Sequence, residues 1–265
     1  MLVGLLAMWG TQAQAATKYR TVSNVAYTAT PQADAYRSAR CKLDLYLPDG
    51  EKDFATVVFF HGGGLEGGEK FIPELLKEQG FAVVAPNYRL SPKVQHPAYI
   101  DDAAAAVAWT MRHIAEYGGS SQKVWVCGHS AGGYLTLMLA LDKSYLEAYG
   151  VDADSLAGYV PFSGQSNTHY TIRKERHLDS QIPIIDRYAP IYNARKLSAP
   201  MLLLTGDRDK ELLARYTENL HLQEILNAKG NKVELYELKG FDHGTMLEPA
   251  CLLLRSMIKS AEKQR

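Results

Sequence analysis

The stretch at residues 124–135, which reads VWVCGHSAGGYL, decides the fold of this chain. Its first four residues are apolar and partly β-branched, which predicts a buried strand. The segment 134–141, YLTLMLAL, predicts a helix that faces the core. Between the two, Gly128 and Gly132 flank Ser130, because a tight strand-to-helix turn leaves no room for side chains at those positions. The stretch therefore predicts a strand, a sharp turn that carries Ser130, and a helix.

The geometry of this turn suggests a chemical role for Ser130. It lifts the hydroxyl clear of the sheet and places the following backbone N–H at the positive end of the helix dipole. This arrangement is the nucleophile elbow of serine hydrolases. A Gly-x-Ser-x-Gly pattern also occurs by chance, so the hypothesis depends on whether the chain supplies a base, an acid and an oxyanion hole.

The composition of the 265 residues is that of an ordinary globular protein, with 46% hydrophobic and 22% charged residues. The formal net charge is +0, which argues against nucleic acid as a partner because there is no basic excess to displace counterions. The three cysteines, Cys41, Cys127 and Cys251, form no disulfide framework. The sequence has no metal-ligand spacing, so we expect neither a metal nor a cofactor.

The N-terminus predicts a signal peptide over residues 1–15. An apolar run at 2–9, too short to span a bilayer, is followed by the small residues Ala13 and Ala15, which fit a cleavage site after Ala15. No basic residue precedes the run, so a frayed apolar N-terminus of a cytoplasmic protein and a start further upstream both stay open. We expect a secreted or periplasmic protein with no integral membrane segment in the mature chain.

The rest of the chain alternates strands and helices. We predict strands at residues 21–28, 41–47, 56–60, 81–86, 124–127, 156–162, 201–205 and 233–238, and helices at 71–79, 99–117, 134–141, 210–229 and 245–259. Such alternation predicts one α/β domain over residues 16–265, with a doubly wound, mostly parallel sheet of about eight strands and helices on both faces. The aperiodic segment 165–195 is expected to be a small, lid-like insertion.

A glycine-rich turn at 61–64, HGGG, directly follows a strand predicted to be buried. Three glycines allow the backbone to double back and aim N–H groups into a cavity. Together with the N–H of Ala131, those of Gly63 and Gly64 predict an oxyanion hole. The alternatives are a tight turn without a ligand and a loose phosphate cradle.

The base must be a histidine that can reach Ser130. Among the 8 histidines, His243 lies between the last strand and the closing helix, at the sheet edge where sites form in such folds. The acid should follow the penultimate strand, where Asp207 and Asp209 are both available. Its role is to hold the imidazole tautomer and to stabilise the imidazolium.

These motifs resemble the α/β-hydrolases of the hormone-sensitive-lipase-like esterase group, and most closely secreted bacterial esterases related to feruloyl and acetyl-xylan esterases. The matching segments are 61–65 (HGGGL), 87–92 (NYRLSP), 101–103 (DDA), 128–133 (GHSAGG), 206–209 (GDRD) and 242–244 (DHG). The resemblance implies an α/β-hydrolase fold and a serine carboxylic-ester hydrolase that acts through an acyl-enzyme on short acyl or carbohydrate-linked acetyl or feruloyl esters. It also implies the catalytic set Ser130, His243 and Asp209, because the acid of that group lies three residues after the strand-end glycine.

Candidates for substrate contact flank these motifs or lie in the insertion: Glu66, Tyr134, His169 and Arg173. His169 and Arg173 are of the types that bind a sugar or a carboxylate, and solvated loop residues are the alternative interpretation. The pair formed by Arg89 with Asp101 or Asp102 is expected to be structural.

Two other functions fit the same motifs. A prolyl-oligopeptidase-type serine peptidase shares the elbow and the fold, but usually carries a propeller or an acidic pair that grips a peptide amine. A non-catalytic binding protein of the same fold normally lacks one member of the triad, whereas all three positions are filled here. The sequence leaves the oligomeric state open.

Overall fold

A computed structural model describes residues 17–28 and 34–263, and these form an eight-stranded sheet. The strands are β1 (Tyr19–Ala26), β2 (Lys42–Pro48), β3 (Phe54–Phe60), β4 (Ala82–Pro86), β5 (Gly119–His129), β6 (Gly158–Phe162), β7 (Leu202–Gly206) and β8 (Glu234–Leu238). Their order across the sheet is β1-β2-β4-β3-β5-β6-β7-β8. The predicted signal peptide at 1–15 lies outside the described residues.

Most of the sheet is parallel. β2 pairs antiparallel with both β1 and β4, and every later pairing from β4 to β8 is parallel. Consecutive parallel strands need a crossover, and the switch in strand order beside β3 creates a crevice at the carboxyl ends of the central strands. The prediction of an α/β-hydrolase fold with a mostly parallel sheet of about eight strands is confirmed.

Helices cover both faces of the sheet. They are α1 (Ala35–Arg40), α2 (Ala98–His113), α3 (Ala131–Leu141), α4 (Ser144–Glu147), α5 (Tyr170–Glu175), α6 (Arg215–Ala228) and α7 (Leu247–Lys263). All seven residues of β3 are buried, and the six apolar ones alternate between two apolar clusters. Val58 and Phe60 pack with α2 and α3 on one face, while Val57 and Phe59 pack with α7 on the other.

Two predicted helices differ from the structure. The expected helix at 71–79 is a single 3₁₀ turn, Glu74–Leu76, because Pro73 precedes it and Lys77 already has extended backbone at ψ 150°. The helix expected at 210–229 begins only at Arg215. The residues from Gly206 to α6 therefore form a loop, and this loop proves to matter for the site.

The segment at 165–195 crosses the elbow side of the molecule. It contains α5 and a 3₁₀ turn, Pro190–Asn193. The Tyr134 hydroxyl in α3 donates to the backbone carbonyl of Tyr188 at 2.8 Å, and the Thr171 hydroxyl donates to the carbonyl of Gly64. These bonds tie the segment to the elbow helix and to the glycine turn; its role as a lid stays a prediction.

Of the helices in the described ranges, none is both long and apolar enough to cross a bilayer.

A buried ion pair fixes the loop after β4. The Arg89 guanidinium donates to both carboxylate oxygens of Asp102, through Nε at 2.8 Å and Nη2 at 2.9 Å, and the Arg89 N–H donates to the same carboxylate at 3.0 Å. The Asp102 side chain is fully buried, whereas that of Asp101 is 38% exposed. Of the two partners expected for Arg89, Asp102 is therefore the one that closes the bidentate pair.

We expect Asp102→Ala to lower the free energy of unfolding by about 3–5 kcal/mol, because it removes the buried, bidentate carboxylate of Arg89 and leaves only the exposed one of Asp34. Asp101→Ala is the matched control and should cost about 1 kcal/mol or less, since its ion pairs are solvent-exposed. Urea unfolding of both variants measures the difference. Equal losses in the two variants would contradict this account.

Candidate active site

Ser130 occupies a strained turn between β5 and α3. Its backbone has φ 57° and ψ −112°, a conformation that residues with a side chain rarely adopt. The Ser130 N–H donates to the carbonyl of Phe162 in β6 at 2.8 Å, which ties the turn to the neighbouring strand. A Cβ at Gly132 would lie 2.1 Å from the Phe60 carbonyl oxygen, and one at Gly128 would lie 2.6 Å from the Gly132 backbone. The two glycines thus permit the close packing on which the strained serine depends.

The glycine turn after β3 lies against the elbow. A Cβ at Gly62 would be 3.3 Å from the Cβ of Ser130, so the two loops are in contact. Gly63 and Gly64 have φ 113° and 65°, which is the left-handed region that favours glycine. A Cβ at Gly64 would meet the Tyr170 hydroxyl of α5 at 1.8 Å. The turn therefore sits between the serine and the insertion, where an oxyanion hole formed with Ala131 stays our prediction.

His243 lies within hydrogen-bond distance of Ser130. It follows β8, and its Nε2 is 2.8 Å from the Ser130 hydroxyl oxygen. The imidazole is partly buried, with 20% of its side chain exposed. The structure thus brings together the predicted nucleophile and the predicted base, from the ends of β5 and β8.

The carboxylate that bonds the second ring nitrogen of His243 belongs to Glu211. The prediction that Asp209 is this acid is wrong. Glu211 Oε1 hydrogen-bonds the His243 Nδ1, and its side chain is only 1% exposed. Asp209 is exposed, and its carboxylate makes no hydrogen bond or ion pair with any residue of the described ranges. Glu211 was missed because it was assigned to the helix predicted at 210–229.

The turn after β7 explains why residue 211, and not 209, reaches the imidazole. The backbone N–H groups of Lys210 and Glu211 both donate to the Asp207 carbonyl at 2.8 Å, which folds the chain back on itself. Glu211 then returns to the strand end, where the Gly206 N–H donates to its Oε2 at 3.1 Å. Asp209 lies within the turn and projects into solvent. The Asp207 carboxylate accepts from the Gly240 N–H at 2.8 Å and so ties the turn to the loop after β8.

The Glu211 carboxylate is ionised at neutral pH. Burial raises its pKa, but the hydrogen bond and charge of His243 and further bonds from Leu212 and Ser163 outweigh that effect and lower the pKa to about 2. Ser163, at the end of β6, donates its hydroxyl hydrogen to Glu211 Oε2 at 2.7 Å, and its oxygen lies 3.1 Å from His243 Nδ1. Ser163 is fully buried. It therefore fixes both the acid and the imidazole, a role that no local motif indicated.

A second histidine, His129, bonds the backbone of His243. His129 Nε2 lies 2.6 Å from the backbone carbonyl oxygen of His243, so this nitrogen carries the proton and donates. The two rings are 4.8 Å apart. Burial and the neighbouring His243 lower the pKa of His129 to about 4, which keeps its ring neutral near pH 7. His129 thus holds the loop that carries His243.

The residues predicted to contact substrate have mostly structural positions. Tyr134, His169 and Arg173 are 0%, 2% and 3% exposed. Tyr134 donates to the Tyr188 carbonyl, the His169 ring accepts from the Thr171 N–H at 3.2 Å, and Arg173 donates to the Ile182 carbonyl. Tyr134 and His169 are thus engaged in structural hydrogen bonds, whereas the Nε of the buried Arg173 has no partner among the described residues. Substrate contact by these three side chains stays a prediction.

Glu66 differs from those three because it stays at the surface. Its carboxylate pairs with Lys174 of α5 at 2.7 Å, and 39% of its side chain is exposed. Substrate contact by Glu66 stays a prediction.

Known proteins are similar to parts of this sequence. "Lipase 2" of Moraxella sp. (strain TA144) is 36% identical over 93 residues, which is 33% of this chain and 22% of that protein. "Carboxylesterase NlhH" of Mycobacterium tuberculosis (strain CDC 1551 / Oshkosh) is 37% identical over 102 residues, or 36% of this chain and 32% of that protein. The chain therefore spans less than a third of the length of these curated relatives.

A solved structure described as a truncated form of a carbohydrate esterase from gut microbiota shares the fold. It superposes with a TM-score of 0.75 at 17% identity, over 95% of this chain and 99% of that one. A family profile covers a larger part of the sequence than the curated relatives quoted above. It matches residues 43–224, from β2 into α6 and across both the glycine turn and the elbow, and the chain belongs to the BD-FAE family.

Proposed function

We propose that the chain is a serine carboxylic-ester hydrolase that acts through an acyl-enzyme. One observation carries the proposal: a continuous line of hydrogen bonds runs from the Ser130 hydroxyl through both nitrogens of His243 to the buried carboxylate of Glu211. A hydroxyl, an imidazole and a carboxylate in that order form the arrangement that activates a serine for attack on a carbonyl.

In the first half of the reaction, Ser130 Oγ forms a bond to the ester carbonyl carbon while His243 Nε2 takes its proton. Glu211, ionised and bonded to Nδ1, stabilises the imidazolium that results. The carbonyl oxygen becomes an oxyanion, which the N–H groups of Gly63, Gly64 and Ala131 would bind. When the tetrahedral intermediate collapses, the C–O bond to the alcohol breaks and the imidazolium protonates the leaving oxygen.

In the second half, water attacks the acyl-enzyme. His243 takes a proton from the water, the Ser130 ester bond breaks, and the proton returns to the serine oxygen as the acid leaves. The balance is one ester and one water to one alcohol and one carboxylic acid. Apart from the ester and the water, these steps use only side chains and backbone N–H groups of this chain.

The substrates we propose are short acyl esters or acetyl and feruloyl esters linked to carbohydrate. Membership of the BD-FAE family supports this choice, as does the shared fold with a carbohydrate esterase. The insertion adds support, because the segment 165–195 contains one six-residue helix, α5, and one 3₁₀ turn, and no long helix. Such a cover suits a small acyl group better than a long chain.

The first test is a panel of p-nitrophenyl esters from acetate to decanoate, with acetylated xylan and methyl ferulate, run on the protein and on Ser130→Ala. We expect activity that falls as the acyl chain lengthens, and a loss of about 10⁶ in kcat in the variant. Labelling by a fluorophosphonate probe should disappear with it. Probe labelling that persists in Ser130→Ala, or a rate that rises steadily towards decanoate, would contradict the proposal.

The second test separates the two acidic residues. Glu211→Gln should lower kcat/KM by about 10⁴, because an amide no longer enforces the imidazole tautomer. Asp209→Asn is the matched control, two positions away and in solvent, and should stay near wild type. Thermal midpoints of both variants show whether folding is intact. A stable but inactive Asp209→Asn, beside an active Glu211→Gln, would restore the assignment made from the sequence.

We also propose that the protein is exported, on the basis of the apolar run and small residues at 2–15. Expressed from the full chain in a bacterial host, it should be found outside the cytoplasm with Ala16 as its first residue. N-terminal sequencing of the exported fraction measures this. A protein that stays in the cytoplasm with residues 1–15 attached would refute export.

A further inference from the structure

A buried arginine stands beside the proposed triad without an ion-pair partner. Arg215, the first residue of α6, is only 4% exposed. Its Nη1 donates to the backbone carbonyl of Ser163, the residue whose hydroxyl bonds Glu211. Ser163 follows Phe162, whose carbonyl holds the Ser130 N–H. The guanidinium is thus attached to the same short piece of backbone that supports both the nucleophile and the acid.

The guanidinium lacks the partners that a buried cation needs. Its Nε is buried and has no hydrogen-bond partner among the described residues. The two nearby carboxylates are engaged elsewhere: Glu211 with His243 and Ser163, and Glu218 with the backbone N–H of Ser166 at 3.2 Å. Within the described ranges no carboxylate forms an ion pair with Arg215. The position at the start of a helix adds to the cost, because the helix dipole disfavours a cation there.

Arg215 thus keeps hydrogen-bonding capacity beside the proposed triad that the described part of the protein does not use. A buried cation with no directly bonded carboxylate is costly, and a single carbonyl acceptor satisfies one of the five N–H donors of a guanidinium. The planar fork of arginine matches the geometry of a carboxylate, which accepts two parallel hydrogen bonds. A carboxylate on a bound ligand would supply the hydrogen-bond acceptors and the paired negative charge that Arg215 lacks.

A second unpartnered donor lies on the same side of the site. The Tyr170 hydroxyl rests against Gly64 of the glycine turn and forms no hydrogen bond with any residue of the described ranges. Burial lowers the pKa of Arg215, and Glu218, Glu211 and Tyr170 each raise it, so the tyrosine is within electrostatic reach of the guanidinium. Tyr170 thus lies against the glycine turn, and Arg215 is bonded to the backbone beside the elbow.

We propose that Arg215 binds a carboxylate of the substrate, so that the site prefers esters whose acyl or alcohol part carries this charge. The inference rests on the proposed ester hydrolysis and narrows its substrate class. It differs from the expectation made from the sequence, in which Arg173 was one candidate for binding a sugar or a carboxylate. Arg173 bonds the Ile182 carbonyl within the insertion, whereas Arg215 bonds the Ser163 carbonyl beside the triad.

The test compares two pairs of esters that differ only in charge. For the alcohol side, 3-acetoxybenzoate is compared with 3-acetoxybenzamide; for the acyl side, monomethyl adipate is compared with its neutral amide analogue. We expect kcat/KM for the acid to exceed that for the amide by about tenfold or more in one of the pairs, as one charge-assisted hydrogen bond provides. The pair that shows the preference tells which side of the ester faces Arg215.

Three variants locate the preference. Arg215→Met should bring the acid-to-amide ratio to about one, and Arg215→Lys should keep part of it because the charge remains. Arg173→Met is the matched control, a second buried arginine with an unpartnered Nε, and should keep the wild-type ratio. A ratio that survives in Arg215→Met, or that is lost in Arg173→Met, overturns the assignment to Arg215.

The wild-type protein alone keeps the inference testable if Arg215→Met does not fold. The product 3-hydroxybenzoate should then inhibit hydrolysis of a neutral ester at least about tenfold more strongly than 3-hydroxybenzamide. Equal inhibition, together with acid-to-amide ratios of one or less in both ester pairs, refutes the inference while ester hydrolysis stands. If none of the four esters is hydrolysed and a fluorophosphonate probe does not label the protein, the proposed function fails instead.

Discussion

The strained backbone of Ser130 is the constraint on which the rest of the site depends. A residue with φ 57° keeps that conformation only where its surroundings leave no alternative. Here β3, β5 and β6 lie side by side, so the Phe60 carbonyl closes one side of the turn and the Phe162 carbonyl accepts the Ser130 N–H on the other. The same three strand ends deliver the glycine turn, the serine and Ser163. The parallel strand order is thus what assembles the site, and the glycines are what allow it to close.

The parts of the site that were predictable are those encoded within a few residues of a buried strand. The elbow, the glycine turn and His243 each follow a strand directly, and parallel strands place such ends at one edge. The sheet itself was predictable for the same reason, because short, continuous runs of β-branched and aromatic residues such as 56–60 are typical of central strands. Local sequence and the topology rule together were sufficient for these elements.

The acid was not predictable in this way because it depends on how a loop folds. Asp207 and Asp209 have the expected sequence spacing, but two hydrogen bonds to the Asp207 carbonyl turn the chain and bring Glu211 back to the strand end. The longer glutamate side chain then spans the gap to His243. The insertion shows the same limit: its polar residues at 165–169, 171 and 173 look solvent-exposed in the sequence, yet all seven are buried, and several are hydrogen-bonded within the insertion or to neighbouring elements. Such networks arise from tertiary contacts, and a single sequence carries no periodic signal for them.

The charges around His243 connect the architecture to the chemistry. Glu211 is ionised and favours a positive imidazole on His243. Arg215 lies within electrostatic reach of the Glu211 carboxylate, and its positive charge offsets part of the negative charge there. A cation that is buried and unpaired therefore weakens the stabilisation that Glu211 offers to the imidazolium. An anion bound to Arg215 would remove this opposition at the moment when the proton moves from Ser130 to His243. A substrate carboxylate would then assist the chemical step as well as binding, and the effect of the charge should appear in kcat as well as in KM.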